Sequence, residues 1–400
     1  MANNLLTIDM ITRKSLEILE NNLVLTRNVN RQYDKSFAVE GAKIGSTLRI
    51  RKPDRALVTD GAALQVQDEN EQYTTLTVSS QKHIGVNFTS AELTMSLDDF
   101  ADRILAPRIS QLAATIDADV ANAFKFIGQS VGTPGTTPAT SAVLLAAQQK
   151  LNESAAMSNN RYATVNPAAN AGLVEGMKGF FNPTDVISKQ FKSGMMGTGV
   201  LGYDEINMSQ SINNFTTGSR TSGTVNTTIT TQGATSVSLT GLGNAGTVNA
   251  GDVFTIAGCY AVNPQTRQST GSLFQFVALA PAVANAGGTA SVTVAPIYDA
   301  GQALATIDVL PQSAAAATFI GAASTAYPQN LIYQADAITF ATADLLLPQG
   351  VDMASRAVHN GISLRIVRQY DINNDRMPCR IDVLYGYGVI RPEMACRLWG

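Results

Sequence analysis

Histidine is almost missing from this chain: His83 and His359 are the only two in 400 residues. A Ser-His-Asp or Cys-His arrangement would have to use one of them. His83 stands beside Lys82 in a strand-like run, and His359 precedes the turn dipeptide Asn360-Gly361. Neither has a nucleophile in a recognisable setting, so both read as surface or turn histidines. Cysteine is nearly as scarce. Cys259, Cys379 and Cys396 are far apart and odd in number, with no Cys-x-x-Cys and no histidine at metal spacing. They read as reduced packing thiols, and no metal or other cofactor is expected. Positive charge is not in surplus, because the net charge is −3. A free nucleic-acid binder usually carries a basic excess, so any DNA contact is expected to be local and weak. No apolar run reaches the ~18 residues that a membrane span needs. The opening MANNLLTIDMITRKSLEILENN lacks a basic start followed by an apolar block, so no signal peptide is expected. Charged residues make up only 15% against 45% hydrophobic. That balance describes a globular protein with much surface left to bury against neighbours.

What is present is an alternation of helix and strand patterns that defines an α+β protein. Thr7 to Asn22 reads as an amphipathic helix, with Ile8, Ile11, Leu16 and Leu19 at helical spacing. Thr47–Arg51 and Tyr73–Ser79 alternate apolar and polar like two strands. Between them Pro53 to Glu71 is a polar excursion. Arg49, Arg51, Lys52 and Arg55 lie at its start, and Asp68, Glu69 and Glu71 lie near its end, with Asp60 between. Either it is a solvated hairpin whose opposite charges face each other, or these charges meet another subunit.

Ser96 to Phe126 carries the clearest helical stripe: Leu97, Phe100, Ile104, Arg108, Leu112, Ile116, Val120 and Phe124. Ser96 is an N-cap, Asp98 and Asp99 suit the first turn, and Pro107 should kink the helix near 103–106. Asp117 and Asp119 read as helix-surface acids. Ser141–Ser154 follows as a helix and Arg161–Val165 as a strand, with partial helix expected over Gly172–Lys192. Gly197-x-Gly199-x-x-Gly202 has the letters of a dinucleotide fingerprint, but it lacks a preceding parallel strand and a downstream acid. From Thr221 to Ala326 the chain turns to Thr, Ser, Gly, Ala, Val and Asn with almost no charge. Strand-like runs recur at Thr235–Thr240, Asp252–Ile256, Ser272–Leu279 and Ser291–Val294, which predicts a small all-β domain inserted in the α+β one. The α+β pattern resumes over Asn330–Leu347, then Ile362–Arg368, a turn over Tyr370–Pro378, and the strand Cys379–Val389.

The C-terminal pattern Cys379-Arg380-Ile381-x-x-x-Tyr385-Gly386-x-x-x-x-Arg391-Pro392-Glu393 resembles the ending of the major capsid proteins of short-tailed bacteriophages, the branch with an extra inserted β-domain. The run Gly251–Gly258 resembles a strand of that inserted domain. The resemblance implies the Hong Kong phage capsid fold: a long spine helix, an extended β-hairpin loop, a central α+β domain and the insert. It implies an N-terminal arm over 1–40, the extended loop region over 41–86, and the spine helix and peripheral domain over 87–130. The central domain would span 131–220, the insert 221–326, and the central and peripheral parts would finish over 327–400. The implied role is structural, not enzymatic. Copies would self-assemble as pentamers and hexamers into an icosahedral head around double-stranded DNA, helped by a scaffolding protein and a portal. The subunit would be made in the host bacterial cytoplasm and reside in the virion, with no membrane partner. Arg49, Arg51, Lys52, Arg55, Asp68, Glu69 and Glu71 are the candidate intersubunit contacts. The alternative from the residues alone is a carbohydrate-binding or adhesive surface protein using the Thr/Ser/Gly-rich insert.

Overall fold

The computed structural model describes residues 8–33, 46–59, 61–62, 66, 72–88, 105–177, 194, 196–373 and 376–400. They fall into two compact units.

The first unit comprises Met1–Ile50, Tyr73–Val120 and Ile338–Ile390. Its sheet runs Asn30–Tyr33, Ile338–Ala343, Met377–Val389, Ile362–Arg368, Met353–His359, and Ser80–Phe88 also pairs with the long Met377–Val389 strand. Ile362–Arg368 forms as its alternation predicts, with Ile362, Leu364 and Ile366 buried. It is joined to Met353–His359 by the two-residue turn Asn360-Gly361, both at positive φ (48° and 77°). That is the turn geometry whose twist matches antiparallel strands, and Asn-Gly adopts it at least cost. Helix α1 (Ile8–Asn22) lies on Met353–His359 and Ile362–Arg368, burying Leu16 and Leu19.

Helix α2 (Ala106–Ala121) buries Ile109, Leu112, Ala113, Ile116 and Val120, a stripe at three- and four-residue spacing. Arg108 is not in that stripe. It is exposed and donates to the Gly85 carbonyl at 2.8 Å, and Ile109 takes the core position. Pro107 is the second residue of Ala106–Ala121. The expected N-cap Ser96, the acids Asp98 and Asp99, and residues 103–104 of the expected kink lie outside the described residues.

Asp117 corrects the surface reading. It is 2% exposed. Its carboxylate accepts the backbone N–H groups of Val24, Leu25 and Thr26 and the Thr26 hydroxyl, at 2.6–3.2 Å. It closes the turn after α1, which leaves backbone donors in need of partners. Asp119 accepts the Tyr385 hydroxyl and faces Lys82 at 3.3 Å.

The second unit comprises Arg51–Gln72, Ala121–Ala337 and Arg391–Gly400. From Asn122 to Phe126 the chain tightens into a 3-10 turn. One sheet follows the order Ser130–Val131, Ala395–Leu398, Asn330–Gln334, Arg161–Val165, Tyr203–Met208, Gly197–Val200. Helices α3 (Ser141–Glu153) and α4 (Pro167–Met177) cover it, and Leu144, Leu151, Val165, Leu173, Ile332 and Leu398 form the core between them. Of the helix expected over 172–192, residues 178–192 lie outside the described residues. The Gly197-x-Gly199-x-x-Gly202 letters fall on a β-hairpin whose turn is Leu201-Gly202, both at positive φ.

The insert is a six-stranded antiparallel sheet in the order Ser269–Val277, Val253–Val262, Ala316–Phe319, Gly223–Val225, Ala234–Thr240, Ala290–Ile297. The predicted strands form with shifted ends: Thr235–Thr240 starts one residue earlier, Asp252–Ile256 and Ser291–Val294 run on to Val262 and Ile297, and Ser272–Leu279 moves to Ser269–Val277. The short pieces Gly223–Val225 and Ala316–Phe319 had no alternation long enough to read. Val237, Leu239, Phe254, Ile256, Phe276 and Val292 fill its interior. The chain enters and leaves through a paired stem, Asn214–Thr216 with Ala326–Pro328.

Candidate functional site

Residues with chemical potential are placed for structure. His359 Nδ1 lies 2.7 Å from Glu20 Oε2, at the end of strand Met353–His359, where its side chain is 64% exposed. His83 sits within strand Ser80–Phe88, in register with Asp382. All three cysteines are free and buried. Burial pushes the thiols of Cys259, Cys379 and Cys396 up to about 12, which makes them poor nucleophiles at neutral pH. Among the described residues, no group of three or more His, Cys, Asp or Glu is placed to hold a metal ion.

The strands that flank the polar excursion form a paired stem. Ser46–Arg51 pairs with Tyr73–Val78, and Lys52 N–H donates to Gln72 O at 2.7 Å. Arg49 lies over the Tyr73 ring at 5.1 Å from its centroid, a cation–π contact. Arg49 and Arg51 are exposed, and Lys52 and Arg55 are half-buried. Arg55 meets Glu393 of the Arg-Pro-Glu turn at 3.5 Å, and Arg267 donates to Val58 O at 3.4 Å. Asp68, Glu69 and Glu71 lie outside the described residues. Among the described residues, the structure therefore joins Arg55 to an acid that spacing along the chain did not suggest.

The Tyr385-Gly386 part of the C-terminal pattern now has a steric cause. Strand Tyr73–Val78 passes over the long strand at Gly386 and Gly388. A Cβ on Gly386 would lie 2.4 Å from Thr77 O and 2.9 Å from Val78 Cα. Only glycine lets two backbones approach that closely. Leu76 and Val78 are buried at this crossing, so the inner strand of the stem is anchored in the first unit.

At the base of the insert, buried charges tie the second unit together. Arg397 is 1% exposed. Its guanidinium donates to Ile127 O (2.7 Å), Gly251 O (2.9 Å), Gln329 Oε1 (3.2 Å) and Lys125 O. Burial pushes its pKa down to about 9, against the attraction of Asp252. Nearby, buried Arg220 pairs with Asp252 at 3.2 Å and lies 4.7 Å from the centre of the Phe319 ring. Burial raises the Asp252 pKa, partly countered by Arg220 and by the N–H groups of Asn249 and Gly218. Nothing local marks Arg220 or Arg397 in the sequence, because their partners lie far away along the chain.

Three phenylalanines of the insert are spent on its own core. Phe254 stacks on Phe276 with centroids 5.4 Å apart and packs against Phe319 at 5.2 Å, all within the core. The carbohydrate-binding reading finds no support.

The family model of the P22 coat protein, gene protein 5, matches residues 1–400. The major capsid protein of Acyrthosiphon pisum secondary endosymbiont phage 1 is 22% identical over 431 residues, covering all of both chains. A solved structure from Mycobacterium phage Che8 aligns over 94% of this chain and 90% of its own, at 11% identity and a TM-score of 0.46. The capsid asymmetric unit of cyanophage Pam1 aligns over 97% and 91%, at 10% identity and a TM-score of 0.44.

Proposed function

The chain belongs to the P22 coat protein family, and from that premise we propose how this tailed-phage major capsid protein builds its shell. Its role is structural. Copies close as pentamers and hexamers into an icosahedral head around double-stranded DNA. A scaffolding protein and a portal guide closure, and the subunit is made in the host cytoplasm before it enters the virion. The single observation that carries this reading is the match of the coat family along all 400 residues.

The described geometry suits such a subunit. A two-stranded stem has too little core to stand alone. Among the described residues that follow the stem, Val58 is 82% exposed. In a shell such residues become buried against a neighbour, and the exposed Arg49 and Arg51, with Lys52 beside them, supply charges for its acids. Asp68, Glu69 and Glu71 are the reciprocal candidates. Each contact is weak singly, but several per subunit add up once the shell closes.

The test is expression with and without the neighbouring reading frames of its source, followed by sedimentation and negative-stain microscopy. Closed shells or curved sheets are expected. A monomer under both conditions would overturn the reading. Reversing Arg51 and Lys52 to Glu should reduce shell yield while leaving the unfolding of the free subunit unchanged. Equal loss of folding and assembly would count against the interface assignment.

A further inference from the structure

The loop between the stem strands is not simply free. Arg55 reaches Glu393 at 3.5 Å, with the two side chains 31% and 30% exposed. Arg267, in the turn between strands Val253–Val262 and Ser269–Val277 of the insert, donates to Val58 O at 3.4 Å. Asn263, in the same turn, donates to Glu153 O at 2.9 Å, so the turn that presents Arg267 is itself fastened to the end of α3. Glu393 is likewise held. Its carbonyl accepts from Gln129 at 3.4 Å, and its residue lies in the 3-10 turn Pro392–Met394. Two fixed points of the second unit therefore grip the loop three residues apart, at Arg55 and Val58.

We propose that this grip is a latch: Glu393 and Arg267 hold the start of the loop against its own subunit, and assembly requires its release. The proposal rests on the assembly reading above. Both contacts are partly solvated and long, so each is weak and screened by salt. That weakness suits a catch that a neighbour must displace. A permanent structural tie would be buried, as Arg397 and Arg220 are. The latch also protects the unassembled subunit, because a strand-and-loop segment open to solvent invites premature pairing with other copies.

The latch can be tested from the side that does not belong to the loop. The double variant Glu393→Gln/Arg267→Gln keeps every loop residue, including Arg55. Release should make tryptic cleavage after Arg55 in the unassembled subunit about fivefold faster, as read by mass spectrometry. Fivefold corresponds to about 1 kcal/mol. The lag before shell formation, followed by light scattering, should shorten by a similar factor. Raised salt should narrow the difference between variant and wild type. Unchanged cleavage after Arg55 would overturn the latch, whatever assembly does. Faster cleavage with an unchanged or longer lag would also overturn it, because the grip would then not restrain assembly. Cleavage is measured on free subunits, so failure of the chain to form shells would count against the assembly reading and leave the cleavage result standing. A variant whose urea midpoint falls below wild type would be replaced by Glu393→Gln alone, which leaves the insert turn untouched and predicts the same direction.

Discussion

Replacing Arg397 by methionine should unfasten the base of the insert. The guanidinium meets four acceptors drawn from distant parts of the chain: Lys125 O, Ile127 O, Gly251 O and Gln329 Oε1. Methionine keeps most of the stem and removes every donor. A buried acceptor left without a partner costs about 1–3 kcal/mol. Against this stands relief from keeping a charge out of water, itself several kcal/mol. The arginine has no bonded carboxylate to lose, but its planar fork satisfies several carbonyls at once. The net loss should be about 3 kcal/mol, roughly a 150-fold change in the folding equilibrium at 1.4 kcal/mol per tenfold. Trp399 is a built-in reporter. It lies two residues on, is 4% exposed and donates to Pro328 O at 3.2 Å. It is also the chain's only tryptophan. Urea titration of unassembled subunits by tryptophan fluorescence therefore reads this joint directly. A loss below about 1 kcal/mol, or a gain, would refute the reasoning and show that desolvation cancels the bonds. Arg397→Lys should recover less than half of the loss, because an ammonium keeps the charge without the fork. Full recovery would show that charge, not geometry, holds the joint.

Gly386→Ala should cost about 2 kcal/mol, since its Cβ would meet backbone at Thr77 and Val78 that cannot swing aside. Gly85→Ala is the matched control, with nothing within 4 Å of its Cβ. Equal melting temperatures for the two variants would remove the steric explanation of Tyr385-Gly386. Stability should also fall in alkali. The three buried thiols are raised from an ordinary 9 to about 12. A folded pKa above the unfolded one gives stability that is complete below pH 9 and lost as pH climbs towards about 12. Buried Tyr203 and Tyr385 shift the same way. A urea midpoint that stays level through this window would contradict the burial of the thiols.

The elements most legible in the sequence are those whose order is local. Arg161–Val165, the helix from Ser141, Ile362–Arg368 and the longer strands of the insert each follow from a periodicity within a single run of residues, because the face that becomes buried is written in its own spacing. The Asn360-Gly361 turn is legible for the same reason: two adjacent residues carry the positive φ themselves. The same local rules misplace Arg108, whose aliphatic stem passes for part of an apolar stripe, and Asp117, whose acidity suggests solvent when its partners are backbone donors more than ninety residues away.

The amino-acid sequence by itself determined the α+β class, the uncharged β-insert and the membership in a coat family, since composition, periodicity and a C-terminal pattern lie along the chain. Only the tertiary structure decided why that pattern contains Gly386, which acid Arg55 meets, and that Arg397 joins the helix exit to the insert. Those facts depend on atoms brought together from residues 77 and 386, 55 and 393, or 125, 251 and 397. A glycine, an acid or an arginine records nothing in one dimension about the backbone or charge that folding sets beside it.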